Sequence, residues 1–451
     1  MSFVERLRSL ADKPSGRLTS SVELEELVQQ HTQVLRTQRQ HATSNVPAIL
    51  RKAPEPGSLK ALVRSIAREQ ALEERADEIA TAEQLEEVKA MMDAEAAFFG
   101  DIAKRRISYE GLLKVRRRCC DLYGPAFGRL FEATTFLRFP KDKNGCISID
   151  AYFSYVAART QRERTALSLA QHDRDLDGCL TVEELEDWVA EQIATCQVQG
   201  LRYIDRYFIT RYKQIAAQKF AFFHARNRKM RIADILNGPV IKEWQRNARG
   251  EAESGRRPHA SNWFSLESAE RVYKLFMDLD QSMTGTLGPS DLAGYSRTMT
   301  ELFVSRVFEE HAGKCRSRGG PRSAGGMDFV EFLDFVLAWE NRDSAPAIAY
   351  FFEIYDVRKR GHITAPDMYM FLAEIYKKWV EDGNYADLSI GDVRDEIFDM
   401  VKPRRELEIT LKDLIDSKIG GTVMTIMADE RVFWEYDSRE TLMYQDEEGQ
   451  A

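Results

Sequence analysis

The chain has 451 residues, 43% hydrophobic and 30% charged, so it can bury more than one core and stands apart from the disordered class. Its 64 Lys and Arg against 72 Asp and Glu leave a formal charge of -8, which speaks against a nucleic-acid binder with a basic stripe. The six cysteines form no CxxC pair and no even framework, and no apolar stretch approaches the ~18 residues of a membrane span, so a reducing, cytoplasmic setting is expected, with a cytoskeletal or nuclear site compatible.

Residues 1–100 read as a polar helical extension. It opens on a short polar helix over 1–13 that lacks the apolar region of a secretory signal. Residues 61–92 are rich in Ala, Glu, Lys, Leu and Arg without Pro or Gly, and their heptads are not sustained, which favours a helical pair over a coiled coil. From residue 101 a theme repeats: an amphipathic helix, a polar loop, a short β-like step, then another helix. The step reads Cys146-Ile147-Ser148 after Gly145 and Cys179-Leu180-Thr181 after Gly178. It returns as Thr286-Leu287 after Gly285 and His362-Ile363-Thr364 after Gly361, with weaker echoes at Met230-Arg231-Ile232 and Glu408-Ile409-Thr410.

Such repeats predict an all-α protein of tandem EF-hand-like helix-loop-helix units that share cores with their neighbours. Two domains are expected, 101–246 and 263–437, joined by a linker at 247–262 with no apolar periodicity and followed by an acidic tail at 438–451. Residues 315–326 read as a flexible basic insertion. The aromatic groups Phe220, Phe222, Phe223 and Phe329, Phe332, Phe335, Trp339 have helical spacing and read as core. The basic runs 116–118 and 402–405 read as solvated faces.

The segment DRDLDGCLTVEE fills every position of a twelve-residue calcium loop. Asp173, Asp175 and Asp177 take positions 1, 3 and 5, and Gly178 makes the sharp turn at 6. Cys179 offers its carbonyl at 7, Thr181 acts through a water at 9, and Glu184 closes the site at 12. Leu180 at position 8 is the apolar residue that faces a neighbouring loop. Ala166, Leu167, Leu169 and Ala170 precede the loop, and Leu185, Trp188, Val189 and Ile193 follow it at helical spacing. Four carboxylates crowded together repel unless a cation neutralises them, so Ca2+ is the expected ligand.

The other loops weaken step by step. A second metal site is expected only in diluted form at Asp280, Ser282, Thr284, Thr286 and Asp291, where hydroxyls replace carboxylates and a short Asp closes the loop. The loop 356–367 keeps Asp356, Gly361 and Asp367 but puts Arg358 and Arg360 at positions 3 and 5, which abolishes cation binding. The loop 140–151 has Pro140 and Ala151 at its ends and is also structural. His172 beside the calcium loop reads as a helix-end residue, since hard calcium prefers oxygen. No HExxH, GxSxG or GxxxxGK[ST] occurs, and no catalytic residues are assigned.

The segments DFVLAWENR (334–342), DEIFDMVKP (395–403) and ITLKDLI (409–415) resemble the B-double-prime regulatory subunits of protein phosphatase 2A. NWFS (262–265), RVY (271–273) and FWEYDSRE (433–440) point to the gamma branch, which includes Tonneau/FASS-like plant subunits. The resemblance covers about residues 105–445. It implies a non-catalytic subunit that binds the phosphatase's scaffold and catalytic subunits and directs them to substrates or cytoskeletal sites, such as centrosomes or cortical microtubules. The phosphatase motifs GDxHG, GDxVDRG and GNHE do not occur here. The family's usual calcium hands fall at 280–291 and 356–367, the loops weakened here, while the complete loop lies about a hundred residues earlier. The alternative reading is a stand-alone EF-hand calcium-binding cytoskeletal protein without phosphatase association.

Overall fold

In four of the repeats the chain turns through a residue of positive φ, runs extended for a residue or two, and enters a helix. Gly145, Gly178, Gly285 and Gly361 hold φ between 73° and 80° at the turn, a region that a side chain disfavours. A capping side chain then opens the next helix in several repeats: Ser108 accepts from the Gly111 N–H, and Ser148 from that of Ala151. The result is the mostly helical architecture that the sequence predicts. The structure, a computed structural model, describes residues 59–96, 105–195, 206–248, 262–313, 326–381 and 389–437. The 438–451 tail, residues 1–58 of the extension and nearly all of the expected linker and basic insertion lie outside the described residues.

Two compact units form, one reaching to Trp188 and taking in Arg231–Asn237, the other made of Val189–Met230 and the residues from Gly238 onward. In the first, the helices Leu59–Asp77 and Ala82–Ala94 are the described part of the N-terminal extension. The second of them starts at a reciprocal cap, with Thr81 and Gln84 each accepting from the other's N–H. Its Leu85, Val88 and Met92 join a core with Leu112, Val115, Phe131 and Tyr152. The strands Arg106–Ile107 and Ile147–Ser148 pair antiparallel at the middle of this core, with Ile107 opposite Ile147 and both side chains fully buried. The helix Ile149–His172 then carries the chain over 24 residues into the calcium-type loop.

In the second unit the apolar steps Leu287 and Met327 face one another across an isolated bridge, and Ile363 pairs with Ile409. Phe303, Phe332, Phe335, Phe351 and Phe371 are fully buried around them. Of the aromatics expected in the core, Phe220 and Phe329 are buried as well, while Phe222, Phe223 and Trp339 are half-buried. The NWFS segment is held by a desolvated charge pair. Lys219 in the helix Arg206–His224 reaches Glu243 in the helix Pro239–Ala248 at 2.7 Å, and Glu243 also accepts from the Trp263 N–H. Lys219 lies over the Trp263 and Phe264 rings, and the Phe264 carbonyl accepts from the Tyr212 hydroxyl.

Candidate metal centre

The loop 173–184 begins where the long helix ends, and its fold comes from its own backbone. Leu176 and Gly178 adopt φ of 65° and 80°, which turns their N–H groups inward onto the first carboxylate. The Asp173 Oδ1 accepts from the Leu176 N–H at 2.7 Å, and its Oδ2 from the Gly178 N–H at 3.0 Å. Asp177 accepts from the Cys179 N–H at 2.7 Å. This places one carboxylate oxygen each of Asp173, Asp175 and Asp177 within 4.8 Å of one another. Asp173 is buried and the other two are exposed, so the cluster opens to solvent on one side.

Burial pushes the Asp173 carboxyl up, and the Gly178 and Leu176 N–H groups with the Arg68 guanidinium pull it back only partly. Asp173 therefore carries charge at a cost that a bound cation would remove. The donors are all oxygen and mostly anionic, the set a hard divalent cation takes, so these residues fit calcium.

Glu184 stands differently. Its Oε1 accepts from the Arg174 N–H at 2.9 Å, and its Oε2 from the Thr181 N–H at 2.9 Å and the Thr181 hydroxyl at 3.0 Å. It closes the loop as a helix cap at the start of Val182–Thr195 and is not grouped with the three aspartates. The helices on either side are joined by the Trp188 indole N–H, which donates to Ser168 at 2.9 Å. Leu167, Leu169, Leu180, Leu185, Val189 and Ile193 are all buried. The Gly178 carbonyl accepts from the Ile232 N–H at 3.1 Å, which ties the loop's turn to the helix Ile232–Asn237.

The loop 280–291 keeps the same backbone with fewer charges. Asp280 accepts from the Thr284 and Gly285 N–H groups at 2.9 and 2.7 Å, and Met283 takes the positive φ at position 4. The Thr284 hydroxyl donates to the Thr286 carbonyl at 2.8 Å, and Asp291 accepts from the Gly288 N–H at 2.8 Å. Ser282 is exposed. Two of the five expected ligand groups are thus bonded to each other. In 356–367, Asp356 accepts from the Arg360 and Gly361 N–H groups at 2.9 and 2.7 Å. The backbone of an EF-hand loop forms in all three places, whatever the side chains offer a metal.

Helix-loop-helix repeats with apolar steps paired across small sheets, and one loop with convergent carboxylates, define a protein of the EF-hand class. No family model matches the chain. It is similar to TON2 of Arabidopsis thaliana, a probable B'' regulatory subunit of serine/threonine-protein phosphatase 2A, at 34% identity over 90% of this chain and 84% of that protein. It is also similar to the gamma member of the B'' regulatory subunits in Mus musculus, at 36% identity over 76% of this chain and 73% of that one. One chain of a solved PP2A PR70 holoenzyme shares the fold, with a TM-score of 0.51 at 17% identity over 61% of this chain and 98% of that chain. The chain belongs to the B'' family of protein phosphatase 2A regulatory subunits.

Proposed function

We propose that the protein is a non-catalytic, calcium-binding regulatory subunit of protein phosphatase 2A that binds the scaffold and catalytic subunits and directs them to cytoplasmic, cytoskeletal substrates. The observation that carries this reading is the identity to regulatory subunits of that name across most of the chain. The calcium part rests on the three convergent aspartates.

In this reading Asp173, Asp175 and Asp177 would hold the ion directly, with the Cys179 carbonyl, and Thr181 would hold it through a water. Bound calcium supplies the positive charge that the crowded carboxylates lack. Glu184, whose oxygens now accept from the Thr181 N–H and hydroxyl and the Arg174 N–H, would close the set from the first turn of Val182–Thr195. The loop 280–291 contributes a weaker second site through Asp280 and Asp291.

Affinity capture of the full chain under native conditions tests the assembly, with the scaffold and catalytic subunits expected in the eluate. Their absence would overturn the phosphatase reading and favour a stand-alone calcium-binding protein. Calorimetric titration tests the metal: calcium binds the wild type, and the high-affinity event disappears in Glu184→Ala. Equal binding by both proteins removes the assignment.

A further inference from the structure

The last two hands pair through the strands Ile363–Thr364 and Glu408–Ile409, with Ile363 opposite Ile409. This register makes 402–413 the partner loop of 356–367, with Arg358 and Arg404 both at position 3 and Asp367 and Asp413 both at position 12. The two closing carboxylates are capped alike by their Thr residues, while Asp413 is also held by the Arg404 backbone N–H and the Asp367 Oδ1 has no hydrogen bond. The Asp367 Oδ2 accepts from the Thr364 N–H at 3.0 Å and its hydroxyl at 2.5 Å. The Asp413 Oδ2 accepts from the Thr410 N–H at 3.1 Å and its hydroxyl at 2.6 Å. In both, the other oxygen faces the guanidinium of the same loop. Arg358 Nε lies 3.6 Å from the Asp367 Oδ1, and Arg404 Nε lies 3.9 Å from the Asp413 Oδ1.

A position-12 carboxylate is normally neutralised by the ion. Here the side chains of Asp367 and Asp413 are only 2% and 7% exposed, and a buried carboxylate without a counter-charge is strongly unfavourable. The Asp367 Oδ1 is buried and accepts no hydrogen bond, so the facing guanidinium supplies charge rather than a bond. Neighbouring cations pin the same loops: Lys359 meets the buried Glu310 of the helix Glu301–His311 at 3.0 Å, and Arg404 also meets Asp416 at 3.1 Å. The 402–413 loop even keeps the turn at position 6 without glycine, with Leu407 at a φ of 59°.

We infer that Arg358 and Arg404 are built-in counter-cations that stand in for calcium in the C-terminal hand pair and hold it in one calcium-independent conformation. A guanidinium cannot be chelated or diluted away, and it stays charged across the physiological pH range. This goes beyond the regulatory reading above, because it concerns loops that bind no metal and leaves the 173–184 site untouched. The basic run at 402–405, expected as a solvated face, is exposed at Arg404 (66%), which reaches the Asp413 carboxylate from the loop's rim.

Hydrogen exchange at the Ile363 and Ile409 amides of the full chain tests the inference, with and without calcium, in the wild type and in Asp280→Asn with Glu184→Ala, which removes both ion sites proposed above. Protection is expected to be the same in calcium and in chelator. The double substitution Arg358→Gln with Arg404→Gln should speed exchange at both amides by about tenfold, and the charge-keeping pair Arg358→Lys with Arg404→Lys should hold it near wild type. A calcium-dependent gain in protection that persists in Asp280→Asn with Glu184→Ala would overturn the inference. So would wild-type protection in the Gln pair. If the Gln pair does not fold, the calcium comparison in Asp280→Asn with Glu184→Ala still decides.

Discussion

Asp173 shows how a single residue can be unfavourable alone and favourable with a ligand. Its folded pKa is raised by burial against the pull of two N–H groups and Arg68. For an acid, a raised folded pKa means that the ionised form costs stability above that value, and that the cost vanishes as the pH falls through it. Asp173→Asn removes that charge cost but sets an amide NH2 against one of the two N–H groups, so it is expected to leave the calcium-free stability at neutral pH little changed and to remove the stabilisation by calcium. For the wild type that stabilisation is about 2.7 kcal/mol at a calcium concentration a hundredfold above Kd. Thermal unfolding in chelator and in calcium measures both parts. A variant that calcium still stabilises as it does the wild type would show that Asp173 is not a ligand. The aspartates at positions 1, 3 and 5 were readable from spacing alone, because loop geometry forces them together. The place of Glu184 was not, because a carboxylate at position 12 serves equally well as a ligand or as a cap on the Thr181 N–H, and the sequence is the same for both.

Elements meet through fewer polar contacts, and one of these sits inside the family-specific DFVLAWENR segment. Asp334 in the helix Phe329–Glu340 accepts from the Gln218 amide of the helix Arg206–His224 at 2.5 Å. Desolvation pushes this half-buried carboxyl up to about 7 despite that bond, with Asp328 and Glu331 adding repulsion. Between the unfolded value near 4 and about 7 the unfolded chain releases this proton while the folded chain keeps it, so stability falls as the pH rises through the window and the loss is complete above it. Asp334→Asn keeps an acceptor for Gln218 and removes the ionisation. At pH 8 it is expected to stabilise the second unit by about 2 kcal/mol, half the full linkage value, in keeping with partial solvent screening, and at about pH 3, below both pKa values, to do little. Denaturant unfolding at the two pH values measures this, and equal effects at both would remove the assignment. Most elements were legible where a glycine preceded an apolar step and a capping residue followed. Ile107 and Met327 were missed because no acidic loop announces them. The signal present was an apolar residue just before a capping Ser108 or Asp328.

At the scale of the whole molecule, a regulatory family and one loop of three convergent aspartates meet in the same chain, and linkage would join the two if that loop binds calcium. If assembly with the phosphatase depends on the loaded 173–184 loop, calcium strengthens assembly by the same factor by which assembly strengthens calcium binding. Couplings of this kind are typically about 5- to 150-fold, large enough to measure from either side. The expected outcome is that chelator weakens capture of the scaffold and catalytic subunits at least fivefold, that Glu184→Ala weakens it to the same level with calcium present, and that the assembled chain binds calcium more tightly than the free chain by a matching factor. Titration of calcium into the free chain and into the assembled complex supplies the second measurement. Unequal factors would mean that a second calcium site contributes, and Asp280→Asn would then restore the match. Equal calcium affinities, free and assembled, would mean that the ion braces the first unit and does not regulate assembly. The C-terminal pair enters this comparison as a constant, because its closing aspartates already face arginines of their own loops, and calcium has no charge to add there.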